Sequence, residues 1–313
     1  MALYLVNYLG LGRIKEYYIM IKLLLFFKKV IGFLENYLRI IAFRSKYKNI
    51  PYSKYPFFYK NLLRANSLRE QGVQFAEKDN RLIASFTANN QNLKLIIHSG
   101  NDLGLIDLVF IHRNYNFILH HPINVIDVGM NIGDTCLFFA SNKFVDKVYG
   151  YELFEPTYNI ALKNFEVNSS ISNKIVPHCY GLGAKSEIIQ IPYHTDYLGA
   201  NGIFENAGKH LFKSKGEKLD CKIQNISQEL NEIDSKLPLL LKLDVEGSEY
   251  GIIRELDKSK SFQNIKYIMM EYHFGYQDLM EILIRNGFEI NEVFSSKNDQ
   301  INLGLIYAVK QQI

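Results

Sequence analysis

Val125-Ile126-Asp127-Val128-Gly129-Met130-Asn131-Ile132-Gly133-Asp134 is the stretch on which the fold turns. An apolar run over 123–128 stops in a glycine turn, and the chain restarts as a helix over 135–141. Gly129 and Gly133 permit a sharp turn and let the backbone come within contact distance of a ligand. Asp127 stands near the carboxyl end of the strand, and the helix that follows offers free N–H groups. That is the opening of a nucleotide-type cofactor site. The spacing is D-x-G-x-N-x-G, not the G-x-G-x-x-G of dinucleotide-binding folds.

Outward from this turn the chain alternates between strand and helix. Strand two is expected over 147–151, ending at Glu152, with a helix over 157–167 and strand three over 175–180. Strand four covers 239–243 and ends in Asp244-Val245-Glu246-Gly247, followed by a helix over 248–256. Strand five covers 265–270 and ends at Glu271, followed by a helix over 277–286. Such alternation predicts a mostly parallel sheet with helices on both faces. The last two strands, 288–293 and 303–309, are too close for a crossover helix, so the final strand should pair antiparallel. With strand order 3-2-1-4-5, strands one and four meet at the topological switch point, where ligands bind at the carboxyl ends.

The irregular stretch 186–234 carries Tyr193, His194, Tyr197, Asn201, Phe204, His210 and Phe212. It reads as a substrate lid or as a small β-extension with a loop. Upstream, 82–87 and 93–98 around Asn89-Asn90 read as a hairpin, and Asn101 or Asp102 as the cap of a following helix. Further upstream, apolar residues at helical spacing (Leu23, Phe26, Phe27, Val30, Leu34, Leu38, Ile41) face away from Lys22, Lys28, Lys29 and Arg39. This predicts a basic amphipathic helix over 17–43, or two with a break near Gly32. Lysines interrupt every apolar run, so no transmembrane span is expected. The arm, 17–48 at its widest, suits an anionic membrane surface. It equally suits packing on the body or on a second subunit of a homo-oligomer. It mixes Tyr with Lys, but no nucleic-acid module accompanies it, so no nucleic-acid partner is expected.

Composition agrees with a globular chain of 313 residues, 48% hydrophobic and 22% charged. Residues 1–60 hold 11 Lys and Arg against 2 Asp and Glu, whereas the rest holds 25 against 30, so a basic arm precedes a mildly acidic body. Cys136, Cys179 and Cys221 form no C-x-x-C and point to a reducing, cytoplasmic setting with peripheral membrane association through the arm. No secretory signal is expected.

Four segments, in order, resemble the FkbM-type methyltransferases, which depend on S-adenosylmethionine (SAM). They are 125–140 (VIDVGMNIGDTCLFFA), 148–164 (VYGYELFEPTYNIALKN), 241–250 (LKLDVEGSEY) and 267–274 (YIMMEYHF). The third is the most specific. The family has Ala at the position of Met130. It also has Glu-Pro after strand two, where this chain has Glu152-Leu153 and then Glu155-Pro156; counting back from Asn164 favours Glu152. The resemblance implies a class I methyltransferase fold, a Rossmann-like doubly wound α/β sheet with its last strand antiparallel. A basic helical extension over 1–80 would precede a methyltransferase domain over 81–313.

It further implies that Asp127, Gly129, Asn131 and Gly133 hold the methionine end of SAM, with Asp127 meeting its positive groups directly or through water. Glu152 would accept hydrogen bonds from both ribose hydroxyls, and Gly181 would flank the adenine. Asp244 and Glu246 are aimed at the crevice that Gly129 opens, and Glu271 and His273 close the same rim. The implied activity is methyl transfer to a hydroxyl of a sugar, glycolipid or secondary metabolite. His273, Asp244 or Glu246 would serve as base, His273 being favoured for an ordinary pKa near 6.5. Mg²⁺ on Asp244, Glu246, Glu271 and His273 is a less favoured reading. Lys242 would pair with a buried acid. Two other classes stay open: an NAD-linked oxidoreductase, against which G-x-N-x-G and D-V-E-G argue, and a non-catalytic methyltransferase-like scaffold or membrane-associated module.

Overall fold

The structure, a computed structural model, describes residues 44–195, 198–203, 216–233, 236–298 and 301–311, with isolated positions 22, 25, 26, 28 and 41. The amphipathic arm expected over 17–43 lies almost wholly outside the described residues, as do Tyr197, Phe204, His210 and Phe212. Among the described residues, no helix is long and apolar enough to cross a membrane.

Two short helices, α1 (Pro56–Lys60) and α2 (Leu62–Glu70), lead into the antiparallel strands β1 (Gln74–Lys78), β2 (Arg81–Ala88) and β3 (Gln91–Ile96). Both turns are two-residue turns at positive φ, Asp79-Asn80 and Asn89-Asn90, the twist that suits hairpins and that Asn and Asp tolerate. The 82–98 hairpin is thus as expected, with β1 added on its outer side. The division expected between residues 80 and 81 falls in the β1–β2 turn, and residues from Tyr47 onward pack in the same core as the main sheet. Helix α3 (Gly100–Leu105) continues into a π-helical turn, Ile106–Ile111. Its cap is Ser99, not Asn101 or Asp102: the Ser99 hydroxyl accepts from Asn101 N–H while Asp102 accepts from Ser99 N–H. Asp102 is the reciprocal partner in a capping box.

The main sheet then builds up as anticipated: β4 (Ile123–Val128), α4 (Asp134–Ala140), β5 (Val145–Tyr151), α5 (Glu155–Glu166) and β6 (Ile175–His178). The chain leaves it for β7 (Gly181–Gly183), β8 (Glu187–Tyr193), β9 (Glu217–Asn225) and α6 (Ile226–Glu232). It returns as β10 (Leu239–Leu243), α7 (Glu249–Lys258), β11 (Ile265–Tyr272), α8 (Gln277–Arg285), β12 (Phe288–Asn298) and β13 (Ile301–Lys310). The seven-stranded order is β12-β13-β11-β10-β4-β5-β6. β13 alone runs opposite to the other six strands of this sheet, lying between β11 and β12. The region expected to be a lid or extension forms a second, three-stranded sheet, β7-β9-β8.

β10 shows why the sheet is central. All five of its residues are buried, as in a strand covered on both faces. Leu240 joins the core formed with the N-terminal elements and α4, and Leu241 and Leu243 join the core under α7 and α8. Each such leucine contributes roughly 1.5–3 kcal/mol by burial.

Candidate active site

Strand register lines up the site in rows on one face of the sheet. Val125, Leu240, Tyr267 and Val309 are neighbours across four strands and lie in or against the apolar core. Two residues on, Asp127, Lys242, Met269 and Tyr307 form the next row. Two further on come Gly129, Asp244, Glu271 and Leu305, because β4 and β10 end together at Val128 and Leu243 and Glu271 pairs with Leu305. With period-two alternation the face therefore passes from apolar to charged within four residues.

In the middle row, Lys242 and Asp127 are 1% and 0% exposed and form an ion pair, Nζ to Oδ1 at 3.1 Å. The Lys242 ammonium also donates to Gly129 O at 2.6 Å. Burial alone would lower its pKa; the Asp127 and Asp244 charges outweigh that and raise it. Asp127 also accepts from Thr135 Oγ1 at 2.5 Å. Asp127 is thus underneath the glycine turn and does not line the cavity above it. Asp127 was expected to meet the ligand directly or through water; its place below the turn leaves no direct contact with the cavity, and the expected lysine–acid pair is formed.

Gly129 (φ +80°) could not carry a side chain, since a Cβ would lie 1.9 Å from Asp244 O. Gly133 (φ +83°) caps α4 and would drive a Cβ to 2.5 Å from the Phe165 ring. It shapes the turn without lining the cavity. Between them Asn131, itself at φ +49°, donates its N–H to Glu152 Oε2 at 3.0 Å. Glu152 also accepts from Phe154 N–H. Burial dominates, raising its pKa to about 7 although both N–H groups pull it down. The turn is braced from α5 by the fully buried Asn164, which donates to Ile132 O and accepts from Ile96 N–H, both at 2.8 Å.

Across the switch point, Asp244-Val245-Glu246-Gly247 forms a tight loop with Glu246 (φ +50°) and Gly247 (φ +102°) in the left-handed region. Glu249, 0% exposed, is the first residue of α7. It accepts from Gly247 N–H at 2.8 Å, His273 N–H at 2.9 Å and His273 Nδ1 at 3.1 Å. His273 Nε2 lies 3.4 Å from Glu246 Oε2. Burial would lower the imidazole pKa, but the bonds and charges of Glu246 and Glu249 hold it up at about 11. The two flanking carboxylates therefore favour the doubly protonated ring, where a base of ordinary pKa was expected.

These elements enclose a cavity of about 540 Å³, within the roughly 300–1,000 Å³ range of small-molecule sites. Gly129, Asn131, Glu152, Gly181, Asp244, Glu246 and His273 all line it; of the expected site residues, only Asp127 and Gly133 do not. Leu198 to Ile203, a segment of the stretch read as a lid, line it too, held by Asn201, whose side-chain amide pairs with the His194 backbone. The cavity fits SAM. Asn131 Oδ1 and Asp134 Oδ1 are buried without hydrogen-bond partners among the described residues, and both residues face the cavity. An ammonium supplies the donors such oxygens require. A Cβ on Gly181 would meet Leu153 at 2.9 Å.

Donor atoms of Asp244, Glu246 and His273 lie within 4.8 Å of one another. Mg²⁺ takes oxygen ligands, and this cluster sets an imidazole beside two carboxylates, so it fits the magnesium reading poorly.

Three contributors were not singled out for these roles from sequence. Tyr115, from the loop before β4, donates to Asp244 Oδ2 at 3.1 Å. Asp134 has its pKa raised to about 7, chiefly by burial. Glu271 has its pKa raised to about 8 by burial and then by the Asp244 charge. Asp134 directly follows the glycine motif and could have been found there; nothing local marks Tyr115.

Residues 127–290 match the sequence profile of the methyltransferase FkbM domain. No curated protein matches the chain. Among solved structures, methyltransferase FkbM from Methylobacillus flagellatus is similar at TM-score 0.42 and 16% identity, over 64% of this chain and 47% of that one. The chain thus spans about half the length of that protein. Aeropyrum pernix fibrillarin, solved with natively bound SAM, gives TM-score 0.38 and 13% identity over 76% and 83%. M. capricolum TrmK, solved with S-adenosylhomocysteine (SAH), gives 0.36 and 14% over 62% and 65%.

Proposed function

The chain belongs to the FkbM methyltransferase domain family, and from that premise we propose that it transfers the methyl group of SAM to a hydroxyl oxygen of a sugar, glycolipid or secondary metabolite. The observation that carries the reading is the facing of two built ends. The glycine turn, with unpartnered Asn131 and Asp134 oxygens, opposes a rim of hydrogen-bond-accepting carboxylates across the β4–β10 boundary.

When bound, SAM supplies a methyl carbon made electrophilic by its sulfonium. The chain's own part is alignment, charge and proton handling. Asn131 and Asp134 accept from the donor's ammonium, and Glu152 accepts from its ribose hydroxyls. Lys242 and Asp127 fix the floor of the turn. At the other end Asp244, Glu246 and Glu271 accept hydrogen bonds from an acceptor's hydroxyls, and one of them takes the proton. The oxygen acceptors of this rim suit the hydroxyls of a neutral polyol.

The test is calorimetric titration with SAM, SAH and NAD. It is followed by incubation with methyl-labelled SAM and a panel of neutral glycosides, glycolipids, sugar phosphates and RNA. Micromolar SAM binding, no NAD binding and a base-stable label in a neutral glycoside or glycolipid are expected. No SAM binding at millimolar concentration would end the proposal, and label in RNA would replace the acceptor.

A further inference from the structure

We infer that Glu271, not His273, takes the proton from the acceptor hydroxyl, and that Glu249 is the positioning residue that keeps His273 a hydrogen-bond donor. This deepens the proposed O-methyl transfer and rests on it.

The inference follows from which groups at the rim are already engaged. Each nitrogen of His273 faces a carboxylate: Nδ1 is 3.1 Å from Glu249 Oε1 and Nε2 is 3.4 Å from Glu246 Oε2. A ring with an acid at both ends keeps both protons and has no lone pair to accept a third. Glu249 is fully buried and also ties His273 N–H to Gly247 N–H. One carboxylate thereby locks the loop after β10 to the end of β11.

The remaining acids differ in the same way. Asp244 Oδ2 accepts from Tyr115 at 3.1 Å and lies 3.9 Å from Lys242 Nζ, so a donor and a cation both stabilise its charge. Glu246 is occupied by His273. Glu271 lines the cavity yet makes no hydrogen bond or ion pair among the described residues. The groups that face it are Asp244 and Glu246 from the loop after β10, Lys242 from β10, His273 from the end of its own strand and the Tyr115 phenol from the loop before β4. A half-buried carboxylate beside other carboxylates and without a donor is the most proton-avid acid of the rim. Its basicity suits a base working near neutrality, the pKa being raised to about 8.

The step balances without a further reactant. As the acceptor oxygen forms its bond to the methyl carbon, the carbon–sulfur bond breaks and sulfur keeps the electron pair. The hydroxyl proton passes to a Glu271 oxygen and later to water. The products are the methyl ether, SAH and one proton.

The full chain is tested in two ways. In ¹⁵N-histidine-labelled wild-type protein, the His273 ring should carry protons on both nitrogens at pH 8, and Glu249→Gln should lower its pKa. A neutral ring at pH 8 would overturn the inference without reference to any acceptor. With an acceptor from the panel, the single-turnover rate should rise with pH through about 8 and level off. Glu271→Gln should lower the plateau by about 10²–10⁴-fold and remove the inflection, while SAM affinity stays near wild type. Retention of the inflection with a rate within about fivefold of wild type would overturn the assignment. Loss of SAM binding in wild type would instead defeat the parent proposal, which the calorimetry reads separately.

Discussion

Replacing Lys242 by Met tests how the floor of the site is held. Lys242 and Asp127 are 1% and 0% exposed, with 3.1 Å between Nζ and Oδ1. Met fills much the same space but leaves the Asp127 carboxylate buried without its cation and Gly129 O without its 2.6 Å donor. Breaking a buried pair from one side costs about 3–5 kcal/mol, a large part of the roughly 5–15 kcal/mol that holds a domain folded. Lys242→Met should lose that amount in equilibrium urea unfolding. Far-ultraviolet circular dichroism is the suitable probe, because the chain has 21 Tyr and no Trp. Adding Asp127→Asn should recover at least half, since the orphaned charge is gone while Thr135 can still donate to the side chain. The pH dependence carries the sign. Burial without a cation penalises the charged form of a carboxylate, so such a group is raised on folding. A group raised on folding contributes more stability as pH falls through the folded value and loses it as pH rises. The deficit of Lys242→Met relative to wild type should therefore shrink from pH 8 to pH 5, and not in the double variant. A deficit below about 1 kcal/mol, or one flat with pH, would refute the reasoning.

Other outcomes follow from the same geometry. Gly129→Ala puts a Cβ 1.9 Å from Asp244 O at φ +80°. It should abolish SAM binding and cost at least about 1–2 kcal/mol from backbone strain alone; a variant that binds SAM like wild type in calorimetry would contradict this. Glu152 carries a folded pKa of about 7, raised mainly by burial. Its contribution to stability is complete below the ordinary carboxylate value and is lost as pH rises toward 7. SAM affinity should run the other way, tightening from pH 6 to pH 8 as the carboxylate that accepts from ribose forms. Glu152→Gln should flatten that profile, and an unchanged slope would remove Glu152 from the ribose site. Asn164→Leu would leave Ile96 N–H and Ile132 O unpaired, at about 1–3 kcal/mol per buried group. A loss under about 0.5 kcal/mol in urea unfolding would show that water replaces the amide.

The main sheet was legible because its signals are local. Apolar runs set the strands, and β4 and β10 fall at the expected bounds, Ile123–Val128 and Leu239–Leu243. The short loop before β13 dictated an antiparallel final strand. By contrast, β1 (QFAEK) has no apolar face of its own and exists through pairing with β2. Ser99 outcompeted Asn101 and Asp102 as a cap because Asp102 three residues on could complete the box, a choice between neighbours that composition alone leaves open. The site was legible in membership more than in orientation. Asp127 stood out in the glycine motif, but only the register reveals that it faces Lys242 beneath the turn. His273 was found at the rim, yet its charge depends on Glu249, which reaches it from a different segment. Tyr115 is a single residue in an irregular loop, brought to Asp244 across 129 positions of sequence.

The buried Asp127–Lys242 pair has a further bearing on how β10 finds its place. Slipping this strand by one residue against β4 would exchange its two faces. Leu241 and Leu243 would then turn toward the glycine turn, and Lys242 toward Ile252, Ile253 and Leu256. A lysine there would lie among aliphatic side chains and lose its 3.1 Å pairing with Asp127, whereas leucines on either face of LLLKL are nearly interchangeable. In a strand so uniformly apolar, hydrophobic matching says little about alignment, and the lone cation acts as its index mark. The same two residues that support the ligand's floor thus select, during assembly, the one pairing in which that floor exists.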